Sequence, residues 1–209
     1  MKEHLVTQQS IDMHAVEHSS RRHDYPNENI VRLVGSFFQG QYFGKVEVDR
    51  STENKGRVLD YGCADGNNSK FLLERGFSVS AIDITEEAIG KTKANLQAFD
   101  PARWSADVLT PDQDGLPYDD NSFDYLVSNQ VVYFLGSRER IDALLKEFQR
   151  VLKPGGRLII SMLSRFNTYC VDAVPKGDGV FTYTTPSGAI DVYVTNDESH
   201  LRDIFSSFE

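Results

Sequence analysis

The sequence predicts a doubly wound α/β fold, a mainly parallel sheet with helices on both faces. Three observations carry that expectation. From Arg57 onward, short β-branched runs alternate with amphipathic helical stretches, the rhythm of parallel strands joined by crossover helices. One strand-like run, Val58-Leu59-Asp60-Tyr61, ends in a glycine turn that feeds a helix; glycine lets a backbone bend sharply and approach a ligand closely. Further on, Lys153-Pro154-Gly155-Gly156 stops a helical run and turns it into a β-branched one.

Taken in order, the strands are expected at 57–61, 78–83, 103–107, 123–128 and 157–163, each rich in residues that suit buried strands. Helices are expected at 67–75, 86–98 and 138–152, where apolar side chains recur at three- and four-residue spacing. Ile141, Leu144, Leu145, Phe148, Val151 and Leu152 show that spacing well. Thr85 is placed to cap the second helix, with Glu86 and Glu87 in its first turn.

Before the first strand, 27–39 reads as a helix entered through Tyr25-Pro26, with Ile30, Val31, Val34, Phe37 and Phe38 on its apolar face. After the fifth, 164–196 is too long for a plain connection, and the runs 180–184 and 189–194 flank Thr185-Pro186-Ser187-Gly188 like a hairpin. The predicted plan is one domain over 1–209. It has a helical cap at 1–50, a ligand-binding core at 57–163, a lid-like insertion at 164–196 and a terminal segment at 197–209 whose helix spans 198–207.

Bulk properties narrow the function. With 22 basic and 31 acidic residues the formal charge is -9, which repels a phosphate backbone and disfavours nucleic acid as a partner. Two cysteines, Cys63 and Cys170, cannot build a disulfide framework. No apolar run approaches the roughly 20 residues that span a bilayer, and the first 20 residues lack the apolar stretch of a secretion signal. A cytoplasmic protein without a membrane segment is expected.

The chemistry gathers at strand ends. Asp83 closes the second predicted strand, where an acid can accept hydrogen bonds from both ribose hydroxyls. Asp107 closes the third and is placed to accept from the exocyclic amino group of an adenine. With Asp60 on the first, three carboxylates at successive strand ends describe a crevice for an adenosine-bearing ligand. Asp60 has a second reading, as an acceptor that organises the turn's own groups. Cys63 reads as small filler of a tight turn and not as a nucleophile. His14, His18 and His23 have no HExxH pattern or cysteine partner, so no metal site is expected. Tyr133 and Phe134 suit a pocket wall and core packing equally.

Across Val58 to Leu163 the sequence resembles the class I S-adenosylmethionine-dependent methyltransferases, which share a Rossmann-like fold. VLDYGCADGNNSKFL looks like their first motif, AIDIT like the acidic loop that follows, and SADV like the adenine-contacting motif. FDYLVSNQVVYFL looks like the fourth-strand motif and LKPGGRLIISM like the turn into the fifth strand. The resemblance implies S-adenosylmethionine as cofactor. It implies Asp60, Gly62, Cys63, Ala64 and Gly66 around its methionine part, Asp83 and Ile84 at the ribose, Asp107 and Val108 at the adenine, and Asn129 near the sulfonium.

Ala64 stands where that family often has a middle glycine. The family also usually adds two strands after the last helix, whereas this sequence stops at Glu209. Asn129-Gln130-Val131-Val132 lacks the Asn/Asp-Pro-Pro-aromatic pattern of enzymes acting on base amino groups, which favours a small-molecule acceptor and leaves a protein side chain open. Other classes are weighed beside this one. A nicotinamide-dependent oxidoreductase shares the strand, turn and acid but requires GxGxxG spacing, absent here. A non-catalytic partner subunit would keep the S-adenosylmethionine residues without an acceptor pocket, and an aminopropyltransferase would need a further acidic cluster.

Overall fold

A computed structural model describes residues 25–38, 54–110, 115–185 and 188–208. Its centre is a five-stranded parallel sheet in the order β3-β2-β1-β4-β5, with β1 Arg57–Tyr61, β2 Ser78–Asp83, β3 Trp104–Val108, β4 Phe123–Ser128 and β5 Leu152–Ile160. Winding runs from β1 outward through β2 and β3, then restarts at β4 on the other side of β1, with Leu59 facing Leu126 across the junction. Such a reversal opens a crevice at the carboxyl ends of the strands.

Alternating side chains send β1 and its neighbours' residues to opposite faces. On one face, Val58, Val79, Ala81 and Val127 meet Phe71 and Leu72 of α2 (Asn67–Glu74), Ile89 and Leu96 of α3 (Glu86–Leu96), and Ile30 of α1 (Glu28–Leu33). On the other, Leu59, Phe123 and Leu126 meet Ile141, Leu144 and Phe148 of α4 (Arg138–Val151). The expected doubly wound architecture is therefore present. Thr85 caps α3 by accepting from the Ala88 backbone N–H at 3.2 Å.

Some element bounds differ from the sequence reading. Arg103 belongs to a 3₁₀ turn, Pro101–Arg103, not to the third strand; its guanidinium donates to the Leu73 and Phe77 carbonyls at 3.1 and 2.7 Å. The fifth strand begins at Leu152, not at 157, because Lys153-Pro154-Gly155-Gly156 lies inside the ladder as an irregularity opposite Phe123 and Tyr125. Gly156 is required there: a Cβ would sit 2.8 Å from the Lys153 carbonyl oxygen. The first helix gives way at Val34–Phe38 to a π-helical turn, where the Ser36 hydroxyl donates to the Arg32 carbonyl at 3.1 Å, a side-chain bond that competes with the helical ladder. The histidines at 14, 18 and 23 lie outside the described residues.

Residues 164–196 hold more strand than one hairpin. β6 Leu163–Ser164, β7 Val174–Gly177, β8 Val180–Thr185 and β9 Gly188–Thr195 form a second sheet in the order β6-β9-β8-β7. Its Leu163, Ile190, Val192 and Val194 pack with Tyr133, from the 3₁₀ turn Val132–Leu135 that follows β4. α5 Glu198–Ile204 then returns Ile204 to the core beside α4, tied by Arg138 donating to Asp203 at 2.7 Å. Among the described residues no helix is long and apolar enough to cross a membrane.

Candidate active site

The crevice between β1 and β4 holds a hollow of about 500 Å³, within the size range of small-molecule sites. Its first wall is the turn after β1. The backbone N–H groups of Gly62 and Cys63 both donate to the Ile82 carbonyl, at 2.8 and 3.0 Å, so the turn is laced to β2. Gly62 has φ +75°, and a Cβ there would lie 2.3 Å from Val131 Cγ2; the missing side chain lets this turn and the one after β4 close on each other. Ala64 takes φ +50°, so the position that suits glycine stays left-handed with a methyl group present. Gly66, at φ +78°, abuts Thr92 of α3 instead of facing the hollow, and there a missing side chain serves helix packing.

Asp83 forms the second wall. It is 6% exposed; one carboxylate oxygen accepts from the Ala64 N–H at 3.0 Å and the other from the Thr85 N–H at 3.2 Å. The Thr85 hydroxyl donates to that second oxygen as well, at 3.4 Å, so the oxygen held by Ala64 keeps a lone pair beyond the one its backbone donor uses. Ile84 and Leu109 flank it, with the Leu109 N–H donating to the Asp83 carbonyl at 2.8 Å.

The third wall follows β4. Asn129, Gln130 and Val131 line it, then Tyr133 and Phe134, whose ring centroids are 4.5 Å apart. Gln130 has φ +61°, and its N–H donates to Ser161 Oγ at 2.6 Å; Ser161 N–H in turn donates to the Ser128 carbonyl at 3.1 Å. The tips of β4 and β5 are thereby joined. Across the mouth run Tyr25, Pro26 and Asn27, the Asn27 N–H donating to Asn68 Oδ1 at 3.0 Å.

Of the ten residues singled out in the sequence, Gly62, Cys63, Ala64, Asp83, Ile84 and Asn129 line the hollow. Asp60, Gly66, Asp107 and Val108 stand outside its walls. Asp60 is 1% exposed beneath the turn and accepts from Ser69 Oγ at 2.6 Å. Burial is the main cause that pushes its pKa up to about 6, with the Asp83 charge adding to it against the Ser69 bond. Asp107 is exposed at the end of β3, paired with Ile82, and Val108 pairs with Asp83. Burial raises the Cys63 thiol pKa well above its ordinary value, which keeps it a thiol.

Among the wall residues that the sequence reading did not single out are Tyr61, Leu109 and Gln130. The signal for Tyr61 was its place between Asp60 and Gly62; its ring turns to the face opposite Asp60 and meets Phe148 at 5.2 Å. Tyr133 and Phe134 fill both roles left open for them, wall and packing.

The donors and space present fit S-adenosylmethionine. Asp83 offers a fixed carboxylate for a ribose diol, and the glycine turn leaves room for a chain against its backbone. The reversed parallel sheet and this turn define the class I S-adenosylmethionine-dependent methyltransferase fold, whose cofactor is S-adenosylmethionine. Residues 59–160 match the family described as "Methyltransferase domain". The chain is 35% identical over 109 residues to malonyl-[acyl-carrier protein] O-methyltransferase of Erwinia pyrifoliae, covering 52% of this chain and 37% of that one. It is 30% identical over 133 residues to demethylmenaquinone methyltransferase of Tropheryma whipplei, covering 63% and 52%. The chain thus spans about half or less of the length of these curated relatives, 37% and 52%. A solved S-adenosylmethionine-dependent methyltransferase from Methanosarcina mazei superposes with TM-score 0.61 over 80% of this chain and 84% of that one, at 22% identity.

Proposed function

We propose that the protein transfers the methyl group of S-adenosylmethionine to a small-molecule acceptor bound in the same hollow. One observation carries the reading: a single cavity has a fixed carboxylate, Asp83, on one wall and an aromatic pair, Tyr133 and Phe134, on another. Such a cavity suits a nucleoside and a second reactant side by side. The malonyl-[acyl-carrier protein] and demethylmenaquinone in the names of its relatives support a small acceptor group, free or carried on a protein.

Bound S-adenosylmethionine supplies a methyl group already activated by its sulfonium charge. The chain's own contribution is alignment and exclusion of water. In this reading Asp83 accepts from the ribose hydroxyls, and the turn Gly62-Cys63-Ala64 lies along the methionine part. The amino end of α2, which opens beside Asn67 and Asn68, favours the carboxylate through its exposed N–H groups and dipole. Asp107 reads the adenine from the edge, and Asn129 faces the reacting centre. Asp60 acts from beneath, holding the turn through Ser69. The second sheet backs Tyr133 and serves as the acceptor-side cover, with the segment from Tyr25 to Asn27 across the mouth. A cytoplasmic setting suits the two free thiols, Cys63 and Cys170.

Calorimetry with S-adenosylmethionine, with NADH as the control ligand, followed by a screen for S-adenosylhomocysteine release over a metabolite library, tests this. Saturable S-adenosylmethionine binding and release with at least one acceptor are expected. Binding with no release from any acceptor would identify a non-catalytic subunit, and preference for NADH would sink the assignment.

A further inference from the structure

We infer that the acceptor is an uncharged aromatic molecule carrying a hydroxyl or amino group, and that Gln130 positions it. The inference rests on the reading of the hollow as a methyl-donor site and narrows the acceptor from there.

Charge comes first. The described walls include two carboxylates, Asp65 and Asp83, and no lysine, arginine or histidine. Asp65 has Lys91 at 3.6 Å behind it, but no wall residue is a cation, so a carboxylate or phosphate leaving water for this cavity would lose its hydration and meet the Asp83 carboxylate with no wall cation to offset the loss. A neutral acceptor loses far less.

Shape comes second. Tyr133 and Phe134 present paired rings at 44° to each other, and Tyr133 is locked from behind by Leu163 and Val192 of the second sheet. A rigid aromatic wall favours a flat apolar partner, through area and through ring-to-ring geometry.

Gln130 is the third observation. A glutamine at φ +61° occupies backbone space that non-glycine residues rarely enter, and such residues persist where the surroundings over-determine them. The over-determination is visible: Ser161 Oγ holds the Gln130 N–H at 2.6 Å, while Val131 is wedged against Gly62. The result puts Gln130 in the wall after β4 as an exposed residue, whose carboxamide, both donor and acceptor, can bond a hydroxyl or an amino group alike. In the transfer, a bond forms from the acceptor oxygen or nitrogen to the methyl carbon. The carbon–sulfur bond breaks with its electron pair remaining on sulfur, and the acceptor's proton passes to water at the mouth beside Tyr25, which is 82% exposed. The products are the methylated acceptor, S-adenosylhomocysteine and a proton.

The test begins with S-adenosylmethionine calorimetry on the full chain, so that a failure of the donor site is seen separately. Size-matched phenols, anilines, benzoates and phenyl phosphates are then compared by S-adenosylhomocysteine release, beside aliphatic alcohols and amines. Release from phenols or anilines and none from benzoates or phenyl phosphates is expected. Equal or better turnover of the anions, turnover of aliphatic compounds only, or no turnover of any phenol or aniline by protein that binds S-adenosylmethionine overturns the inference. Gln130→Ala should raise the acceptor KM roughly tenfold, the factor expected for a lost hydrogen bond, with S-adenosylmethionine affinity kept. Gln130→Arg should admit benzoates. Unchanged KM and unchanged selectivity in both variants would remove Gln130 from the recognition.

Discussion

Asp83 joins two jobs in one side chain, fastening the glycine turn through Ala64 and helix α3's cap through Thr85 while facing the hollow. Asp83→Ala is expected to weaken S-adenosylmethionine binding by roughly 1–3 kcal/mol, read by calorimetry; unchanged affinity would move the ribose elsewhere. Asp60 makes a different prediction. Its folded pKa, about 6 against an ordinary 3.8, means the native state holds a proton that the unfolded chain has released between those values. Stability therefore falls as pH rises from about 4 to about 6 and stays lower above that, by roughly 3 kcal/mol if the whole shift is expressed. Asp60→Asn should flatten this part of the profile in urea melts at pH 4 to 7; an equally steep fall in the variant would assign it to another group. Both acids were legible from their strand-end positions. Which of them faces the hollow was not, because that depends on how the turn lies over β1, and so Tyr61 and Leu109 went unread while Asp107 came to rest outside the walls.

At the level of elements, the two turns that meet at Gly62 and Val131 are the tightest joint in the site. Gly62→Ala would place a methyl group 2.3 Å from Val131 Cγ2 at a backbone angle alanine resists, a combined cost of about 2–5 kcal/mol. Loss of S-adenosylmethionine binding together with a lowered Tm is expected, and a variant with normal Tm and affinity would show that the joint can open freely. Strands β1, β2 and β4 could be read to the residue because apolar runs there are bounded by glycine, acid and turn residues. The start of β5 could not, since Pro154 and two glycines signal a break while the ladder tolerates them as an irregularity. β7 was invisible for a plainer reason: all four of its residues are exposed, so it has no buried face to impose alternation on the sequence.

The whole molecule shares one load between its core and its site. Phe148, fully buried on α4, sets its ring against Tyr61, which in turn lines the hollow. Phe148→Ala should cost about 3–5 kcal/mol in denaturant unfolding and lower ligand affinity as well, since the cavity would open behind a wall residue. Affinity intact in the folded fraction would show that the site is insulated from the core. The two-faced plan itself was the most legible feature, because α4's apolar spacing and the strands' β-branched runs are each imposed by burial. The second sheet's union with the turn after β4 was not, because that contact links residues roughly 30 to 60 positions apart and no local pattern records it.

Among the described residues β5 ends the main sheet, and along it Lys153, Pro154 and Arg157 are exposed. Proline lacks the donor that an incoming strand would need, and a charged Arg157 along the same edge disfavours close pairing with a second molecule. Concentrated solutions of this protein should therefore resist ribbon-like stacking through that margin, a protection written into the same Lys-Pro-Gly-Gly turn that ends α4.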